Sequence, residues 1–208
     1  MKTENVVLMQ MARESLKGKW GLAIGTFVVY MLIAGILQMI PIIGPIAPLI
    51  ISGPLTLGLA VFSLSISRNQ EAKLEQIFHG FNNFGTALGA YLLMILFTLL
   101  WMLLLIIPGI IATLSYSMTF YIIADDSSIG AMEAIDKSKK MMDGYKWKYF
   151  CLGLRFFGWA CLCILTLGIG FLWLMPYMQV SMAKFYDDVK ANSMLAGVHC
   201  GNIVAEYQ

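Results

Sequence analysis

Charged residues are scarce in this chain of 208 residues. Asp, Glu, Lys and Arg make up 12% of it, whereas soluble domains contain about 25%. The formal net charge is only +2, which excludes the basic footprint of a nucleic-acid-binding protein. Hydrophobic residues reach 59%. This composition excludes a disordered chain and a coiled coil, and it is typical of an integral membrane protein.

Residues that carry catalysis or bind metals are equally few. With only His79 and His199, no HExxH zinc motif can form, and the chain has neither a GxSxG nor a GxxxxGK[ST] motif. The four cysteines show no paired spacing of a disulfide framework or zinc site. Two acidic pairs, Asp125-Asp126 and Asp187-Asp188, would bind a divalent cation if they converged, or else mark the membrane boundary. The sequence predicts no enzyme, no cofactor and no metal.

Six apolar runs divide the chain, at about 20–40, 46–66, 85–107, 109–124, 149–167 and 170–186. A transmembrane helix needs roughly 20 apolar residues, with a range of about 17–25. The fourth and sixth runs are short and depend on polar flanks. We nevertheless expect six spans, because a run that failed to cross would place the next charged segment on the wrong side. Residues 20–40 are interpreted as a retained first span rather than a cleaved signal peptide.

The basic residues are distributed on one side of these runs. Thirteen of the 14 Lys and Arg precede the first run, close the sixth (Lys184 and Lys190), or lie in the connections after the second and fourth, and only Arg155 remains. The connections around 41–46, 107–110 and 168–171 carry no charge. Because cytoplasmic loops carry the excess of Lys and Arg, both termini are predicted to be cytoplasmic, in a multi-pass protein of the cytoplasmic (inner) membrane.

This orientation gives a specific expectation for the two ends of the bundle. Five charged positions are predicted to share the cytoplasmic face, namely Lys19, Arg68, Asp125, Lys148 and Asp187. Pro41, Pro108 and Gly168 are predicted to lie at the other face.

The runs pair into a unit that occurs three times. The units cover about 1–68, 69–126 and 127–190 of one membrane domain, and a C-terminal tail occupies 191–208. Each unit has an amphipathic segment, an aromatic residue (Trp20, Phe84 or Trp147), a span, a Gly/Pro turn and a second span. The turns are predicted near Pro41 and Gly44, at Pro108-Gly109, and near Gly168 and Gly170. Four prolines predict that the first return helix is broken or preceded by a short outer segment. The alternative to a true threefold repeat is that the three units resemble one another by chance, as the apolar hairpins of any membrane protein can.

Three amphipathic segments precede the spans, at 4–17, 72–81 and 127–144. Their apolar stripes are Leu8, Met11, Ala12 and Leu16; Leu74, Ile77, Phe78 and Phe81; and Ile129, Met132, Ile135 and Met142. Asp125, Asp126, Ser127 and Ser128 are predicted to cap the third helix, and Gly144 to end it. Such helices can lie in the headgroup plane, or they can cap the cytoplasmic mouth of the bundle.

Two patterns supply candidate contact sites. Gly21/Gly25 and Gly85/Gly89 form GxxxG motifs, which pack helices either within the bundle or across a dimer interface. The candidate contacts to an anionic lipid are Lys137, Lys139, Lys140, Lys146, Lys148 and Arg155. The alternative is that this basic cluster is only the topology signal.

The polar groups of the spans leave two functions open. No Asp, Glu, Lys or His lies in the middle of a run, which disfavours a proton-coupled carrier. Gln38, Gln179 and the polar residues of 115–121 either form hydrogen bonds between helices or line a narrow path. The favoured function is non-enzymatic and operates through lipid or protein partners. The alternative is a small transporter or permeation unit for a neutral or lipid-like solute.

Several longer stretches resemble a known family. They are LKGKW (16–20), FHGFNNFGTALGAYLLM (78–94), IIPGIIATLSYSMTFYIIADD (106–126), AIDKSKKMMDGYKWKYF (134–150) and FFGWACLCILTLGIGFLWLMPYMQVSMAKFYDD (156–188). Together they resemble the bacterial integral-membrane family catalogued as domain of unknown function 975. The resemblance covers the chain to about residue 190 and implies a bacterial multi-pass inner-membrane protein. Arg155 departs from the small polar residue expected there. The resemblance implies no catalytic residue.

Overall fold

The computed structural model of the chain describes residues 3–38, 47–166 and 168–206, and these residues form an all-helical structure. This confirms the all-α fold class. The helices are α1 (Asn5–Leu16), α2 (Trp20–Gln38), α3 (Ala47–Ser67), a 3-10 helix (Leu74–Phe81), α4 (Phe84–Leu104), α5 (Ile106–Tyr116), α6 (Thr119–Asp125), α7 (Ala131–Met141), α8 (Lys146–Leu165) and α9 (Phe171–Glu206).

Several of these helices are long and apolar enough to cross a bilayer. Four stretches qualify directly, Leu49–Ser67, Phe84–Leu104, Ile106–Asp125 and Lys146–Leu165. A fifth would be α1 with α2, which meet at an angle of 95°. The sixth predicted span lies in α9, whose first part contains Lys184, Asp187 and Asp188 and does not qualify by composition. The number of six spans therefore stays a prediction.

The order of elements along the chain repeats. A short helix, a long helix and a further helix or helix pair follow one another three times, as α1-α2-α3, then the 3-10 helix with α4 and α5-α6, then α7-α8-α9. Trp20 and Phe84 are the first residues of α2 and α4, and Trp147 is the second residue of α8. The aromatic residues of the sequence repeat thus occupy equivalent positions in the three long helices.

Helix α3 forms the centre of the structure. It contacts α1, α2, the 3-10 helix, α4, α6 and α9, and most of its residues are buried. The 3-10 helix approaches it at backbone distance: a Cβ placed on Gly58 would lie 1.8 Å from the carbonyl oxygen of Ile77, and one on Gly80 would lie 1.8 Å from that of Pro54. Helices α4 and α8, in contrast, are mostly exposed. They form the outside of the bundle.

Two predicted breaks differ from the structure. The turn expected at Pro108-Gly109 lies at Leu105, which has an extended backbone between α4 and α5. Proline is tolerated in the first helical turn because its missing N–H has no partner there, so Pro108 lies inside α5. Helix α3 likewise continues through Pro54 without interruption. Pro41 and Gly44 lie outside the described residues.

The third unit contains the predicted turn near Gly168 and Gly170 and is followed by the predicted C-terminal tail. Gly168 has φ +85° between α8 and α9, which confirms the turn expected near Gly168 and Gly170. The left-handed backbone explains the glycine, since other residues adopt it at a cost. Helix α9 continues to Glu206, so the tail predicted from residue 191 begins inside a helix.

Helix α1 confirms most of its predicted apolar stripe. Leu8, Ala12 and Leu16 are buried against the rest of the chain, whereas Met11 is exposed. The 3-10 helix buries Ile77 but exposes Phe78 and Phe81. The stripe of α1 therefore packs on the protein, as expected of a segment that caps the bundle, whereas two aromatic residues of the 3-10 helix stay exposed, as a helix in the headgroup plane would leave them.

Helix α7 starts later than predicted. It begins at Ala131 rather than Ser127, and its N-cap residue Gly130 makes no side-chain capping bond. The expected capping oxygens are used locally instead, since the carboxylate of Asp126 accepts hydrogen bonds from the backbone N–H and the hydroxyl of Ser128. Ile135 and Met142 of the predicted stripe are buried, while Met132 is exposed. Gly144, with φ +71°, follows the helix as expected.

Candidate functional site

Three helices meet at one guanidinium group, two of them at their C-terminal ends and α9 near its middle. Arg68 follows α3, Asp125 is the last residue of α6, and Asp187 lies in α9. Arg68 Nη1 lies 2.6 Å from Asp125 Oδ1, while its Nη2 and Nε lie 2.8 and 3.1 Å from Asp187 Oδ1. The planar guanidinium can donate to both carboxylates at once, which an ammonium group cannot do in the same geometry. Arg68 therefore ties the three helices together.

Further polar groups complete this cluster. Asp125 Oδ2 accepts hydrogen bonds from Lys190 and, at 3.1 Å, from the hydroxyl of Tyr186. Asp187 Oδ2 accepts a bond of 2.9 Å from the hydroxyl of Ser67, and Lys184 donates to the backbone carbonyl of Ser67. We call Arg68, Asp125, Asp187, Lys190 and Tyr186 the helix-end cluster. Its two carboxylates are fully engaged by donors.

A second ion pair lies one residue further along α9. Lys148 Nζ is 2.8 Å from Asp188 Oδ2, and both side chains are largely buried. The hydroxyl of Thr3 donates to the same carboxylate, and the Asn5 side-chain amide donates to the backbone carbonyl of Lys148 at 2.9 Å. The N-terminal segment is thereby attached to the start of α8 and to α9.

The five charged positions expected at one face lie at one end of the molecule. Arg68, Asp125 and Asp187 are in direct contact, and Lys148 pairs with the neighbour of Asp187. Lys19 Nζ donates to the backbone carbonyl of Gln70 at 3.0 Å, two residues beyond Arg68. Pro108, by contrast, lies at the start of α5 and Gly168 between α8 and α9, while Pro41 is outside the described residues.

One carboxylate of each acidic pair converges on a cation of the protein itself, since Asp125 and Asp187 both bind Arg68. The other two do not join them, because Asp126 binds Ser128 and Asp188 binds Lys148. Within the described residues no group of three His, Cys, Asp or Glu side chains is arranged to hold a metal ion. The hydrogen bonds that Arg68 donates to Asp125, followed by those that it donates to Asp187, raise the pKa of its guanidinium, which stays charged at any physiological pH. Hydrogen bonds from Ser128 lower the pKa of Asp126, which is also ionised at neutral pH.

A cavity of about 450 Å³ adjoins the helix-end cluster. Its lining includes Asp125, Asp126, Lys137, Tyr186 and Lys190. The cavity thus combines carboxylates and ammonium groups, and Asp125 is already engaged by Arg68, Tyr186 and Lys190. The arrangement of these groups joins helices, and none of its donors and acceptors forms a nucleophile–base pair.

The candidate lipid contacts divide into engaged and free side chains. Lys148 is held by Asp188, and Lys139 pairs with Asp136 while lying over the rings of Phe97 and Tyr116. Exposed side chains are those of Lys137, Lys140 and Arg155. Lys146 lines a second cleft together with Lys139.

The GxxxG glycines do not mark the close contacts between the described helices. A Cβ placed on Gly21, Gly25 or Gly85 meets no atom within 4 Å, and one on Gly89 meets the Cβ of Ala131 at an ordinary 3.5 Å. The tight positions include Gly53, Gly58 and Gly80 on α3 and the 3-10 helix, which sequence reasoning missed, and Gly109 of α5, whose built Cβ lies 2.4 Å from the Met102 side chain of α4. Gly53 and Gly58 are five residues apart, so no motif of spacing four identifies them.

The polar side chains of α5 and α6 are mainly bound to their own backbone. The hydroxyls of Ser115, Ser117 and Thr119 donate to the carbonyls of Ile111, Leu114 and Tyr116. The hydroxyl of Tyr121 lies 3.1 Å from the side-chain oxygen of Gln179 on α9. The side chain of Gln38 is outside the described residues. Hydrogen bonds within and between helices thus account for Ser115, Ser117, Thr119, Tyr121 and Gln179 among the polar residues that were expected to line a path.

The structure defines the class of this protein, and a comparison with known families then gives its family. The described residues form an all-helical protein with several helices apolar enough to cross a membrane. The chain belongs to the family described as "Protein of unknown function (DUF975)", whose model matches residues 1–111 and 102–193. This confirms the resemblance seen in the sequence. No curated protein and no solved structure matches the chain.

Proposed function

We propose that this protein is a six-span protein of the cytoplasmic membrane that has no catalytic activity of its own and operates through lipid or protein partners. The spans are α2, α3, α4, α5-α6, α8 and the first part of α9, paired as three hairpins. Both termini and the charged connections lie in the cytoplasm. The helix-end cluster is the cytoplasmic clamp of the three hairpins.

One observation carries this proposal, namely the convergence on Arg68 of the ends of α3 and α6 and the middle of α9. An ion-pair cluster of this kind marks one end of the membrane bundle, because the cost of burying charge in lipid keeps it in water, and α9 then continues beyond the bundle. The opposite connections around 107–110 and 168–171 contain no charged residue. The excess of Lys and Arg then assigns the clustered end to the cytoplasm.

The hydrogen bonds of the polar groups in the described residues support a structural role for these groups. The carboxylates of the cluster are bound by Arg68 and Lys190, and the hydroxyl of Ser115 in α5 donates to the backbone of its own helix. These same bonds weigh against the alternative of a permeation path, because the polar groups that would line it are already bound within the protein. The exposed Lys137, Lys140 and Arg155 favour anionic lipid as one partner.

Cysteine accessibility in whole cells tests the topology. Cys151, Cys161, Cys163 and Cys200 are first replaced, and single cysteines are then placed at Ile43, Ile107, Gln70 or Lys140. Ile107 is 72% exposed, and Gln70 and Lys140 are exposed as well, so the described positions are free to react. We expect an impermeant thiol reagent to label positions 43 and 107 in intact cells, and positions 70 and 140 only after lysis. Labelling of position 140 in intact cells contradicts the proposal.

A further inference from the structure

A cleft of about 430 Å³ lies between α1, α2, α8 and α9. Three of the five tryptophans of the chain line it, Trp20, Trp159 and Trp173. Trp159 is 55% exposed and Trp173 is 52% exposed, so the cleft opens to the outside of the bundle. Apolar surface of this size on large rings is usually covered in a folded protein.

The rim of the cleft carries a single charged residue, Arg13. It lies in the last turn of α1, is exposed, and has no ion-pair partner among the described residues. Its position is fixed, because Leu8, Ala12 and Leu16 of the same helix are buried and the hydroxyl of Tyr177 donates to the carbonyl of Met9 at 3.2 Å. The cleft therefore presents one cation, carried by a helix that is held against the bundle, beside apolar walls.

We infer that this cleft binds one anionic phospholipid, with the phosphate at Arg13 and an acyl chain against Trp159, Trp173 and Leu174. The inference deepens the proposed function and rests on it. A guanidinium donates two parallel hydrogen bonds to a phosphate, and tryptophan is the residue that membrane proteins place at the boundary between headgroups and acyl chains.

The surface beside the cleft supports a lipid rather than another protein as the occupant. Leu154, Phe157 and Leu162 continue the outer side of α8 and are exposed large apolar residues. In a membrane this surface is covered by acyl chains, and the cleft is continuous with it through Trp159 on the same helix. The charge of Arg13 then selects, from the lipids that reach the cleft, those that carry a net negative headgroup.

Tryptophan fluorescence in reconstituted vesicles tests the inference. The W101F/W147F variant retains only the three tryptophans of the cleft. It is reconstituted in phosphatidylcholine with the same small fraction of either brominated phosphatidylglycerol or brominated phosphatidylcholine, because bromine quenches the ring that it touches. We expect the anionic lipid to occupy the cleft about fivefold more strongly, corresponding to about 1 kcal/mol.

Three substitutions in this background distinguish charge selection from other causes. R13Q should abolish the preference for the brominated anionic lipid, and R13K should retain most of it. K17Q removes a neighbouring exposed cation that does not line the cleft, so it should leave the preference unchanged.

Each other outcome overturns the inference. Equal quenching by both lipids means that charge is not selected. No quenching by either means that another occupant, such as a second copy of the chain, fills the cleft. A preference that survives R13Q places the lipid elsewhere. Since both leaflets of the vesicle contain the probe, the result does not depend on orientation, and the cysteine labelling above tests the proposed topology separately.

Discussion

The hydroxyl of Ser138 donates a hydrogen bond of 2.7 Å to the backbone carbonyl of Ser115. It also accepts one of 3.3 Å from the backbone N–H of Met118. These two backbone groups lie on either side of the break between α5 and α6, where the regular helical bonds are interrupted. Ser138 is fully buried, so one side chain of α7 supplies the partners that the break removes.

Substitution S138A should therefore destabilise the protein. It leaves the carbonyl of Ser115 and the N–H of Met118 without this partner in a dry environment, which costs about 1–3 kcal/mol. The measurement is the unfolding midpoint of the purified protein in detergent. S193A is the matched control, since the hydroxyl of exposed Ser193 bonds only to the carbonyl of Lys190 in its own helix. Equal midpoints for the two variants would contradict this role of Ser138.

The helix-end cluster gives the second prediction. R68Q removes the cation from two carboxylates, of which that of Asp125 is only 12% exposed. We expect a loss of about 2 kcal/mol, between the values for exposed and buried ion pairs. R68K should recover only part of it, because an ammonium does not span both carboxylates in the same way.

Thermal unfolding of both variants measures this effect, and K73Q provides the control. Lys73 also pairs with a carboxylate, that of Glu71, but both side chains are well exposed. K73Q should change the midpoint little. If R68Q unfolds at the same temperature as K73Q, Arg68 does not clamp the three helices.

The close approach of the 3-10 helix to α3 gives the third prediction. G58A and G80A each place a methyl group 1.8 Å from a backbone oxygen that cannot move without shifting a helix. The cost should exceed the about 1–3 kcal/mol of ordinary overpacking, and we expect little folded protein by size-exclusion chromatography. G21A meets no described atom within 4 Å and should fold normally. Normal folding of G58A and G80A would show that the two segments are not packed at this distance.

The same G21A variant tests the alternative for the GxxxG motif. If Gly21 and Gly25 form a dimer interface, the added methyl group weakens the association of two chains while leaving each chain folded. Sedimentation in detergent measures this directly, with G153A on α8 as control because its built Cβ also meets no described atom.

The fourth prediction concerns two lysines of the candidate lipid contacts. Lys148 is expected to stabilise the fold, and Lys140 is expected to bind lipid. K148Q leaves the largely buried Asp188 without its cation, so it should lower the unfolding midpoint by an amount equivalent to about 2–3 kcal/mol. K140Q removes an exposed cation and should leave the midpoint unchanged. Binding to vesicles with anionic lipid should be weakened more by K140Q than by K148Q. A larger loss of vesicle binding in K148Q than in K140Q would contradict the assignment of Lys148 to stability and of Lys140 to lipid binding.

The local parts of the fold were accessible from sequence because they depend on residues close in the chain. Leu8, Ala12 and Leu16 recur at helical spacing, and their burial follows from that period. The start of α7 was placed too early because the oxygens near Asp126 were assigned to the helix, whereas Ser128 binds them two residues away. Competition between such local hydrogen bonds cannot be read from residue types alone.

The helix-end cluster was not predicted, although the sequence contained a signal for it. Arg68, Asp125 and Asp187 each end a unit of the threefold repeat, and one of them has the opposite charge to the other two. Equivalent positions of a repeat lie at the same end of a symmetric bundle. The repeat, together with the opposite charges, could therefore have predicted an ion pair among these three residues. The acidic pairs were instead interpreted as a cation site or as boundary residues, because pairs separated by 57 and 119 positions carry no local pattern.

The sequence separations between Arg68 and its two carboxylate partners also determine when the cluster can form during synthesis. Arg68 leaves the ribosome 57 residues before Asp125 and 119 residues before Asp187. At about 5–20 residues per second, its guanidinium spends several seconds without the first carboxylate and about twice as long without the second. During that interval the nascent chain presents an unpaired cation beside α3, and only translation of the final helix closes the clamp. A ribosome that stalls before residue 187 therefore leaves Arg68 with Asp125 but without its second carboxylate partner.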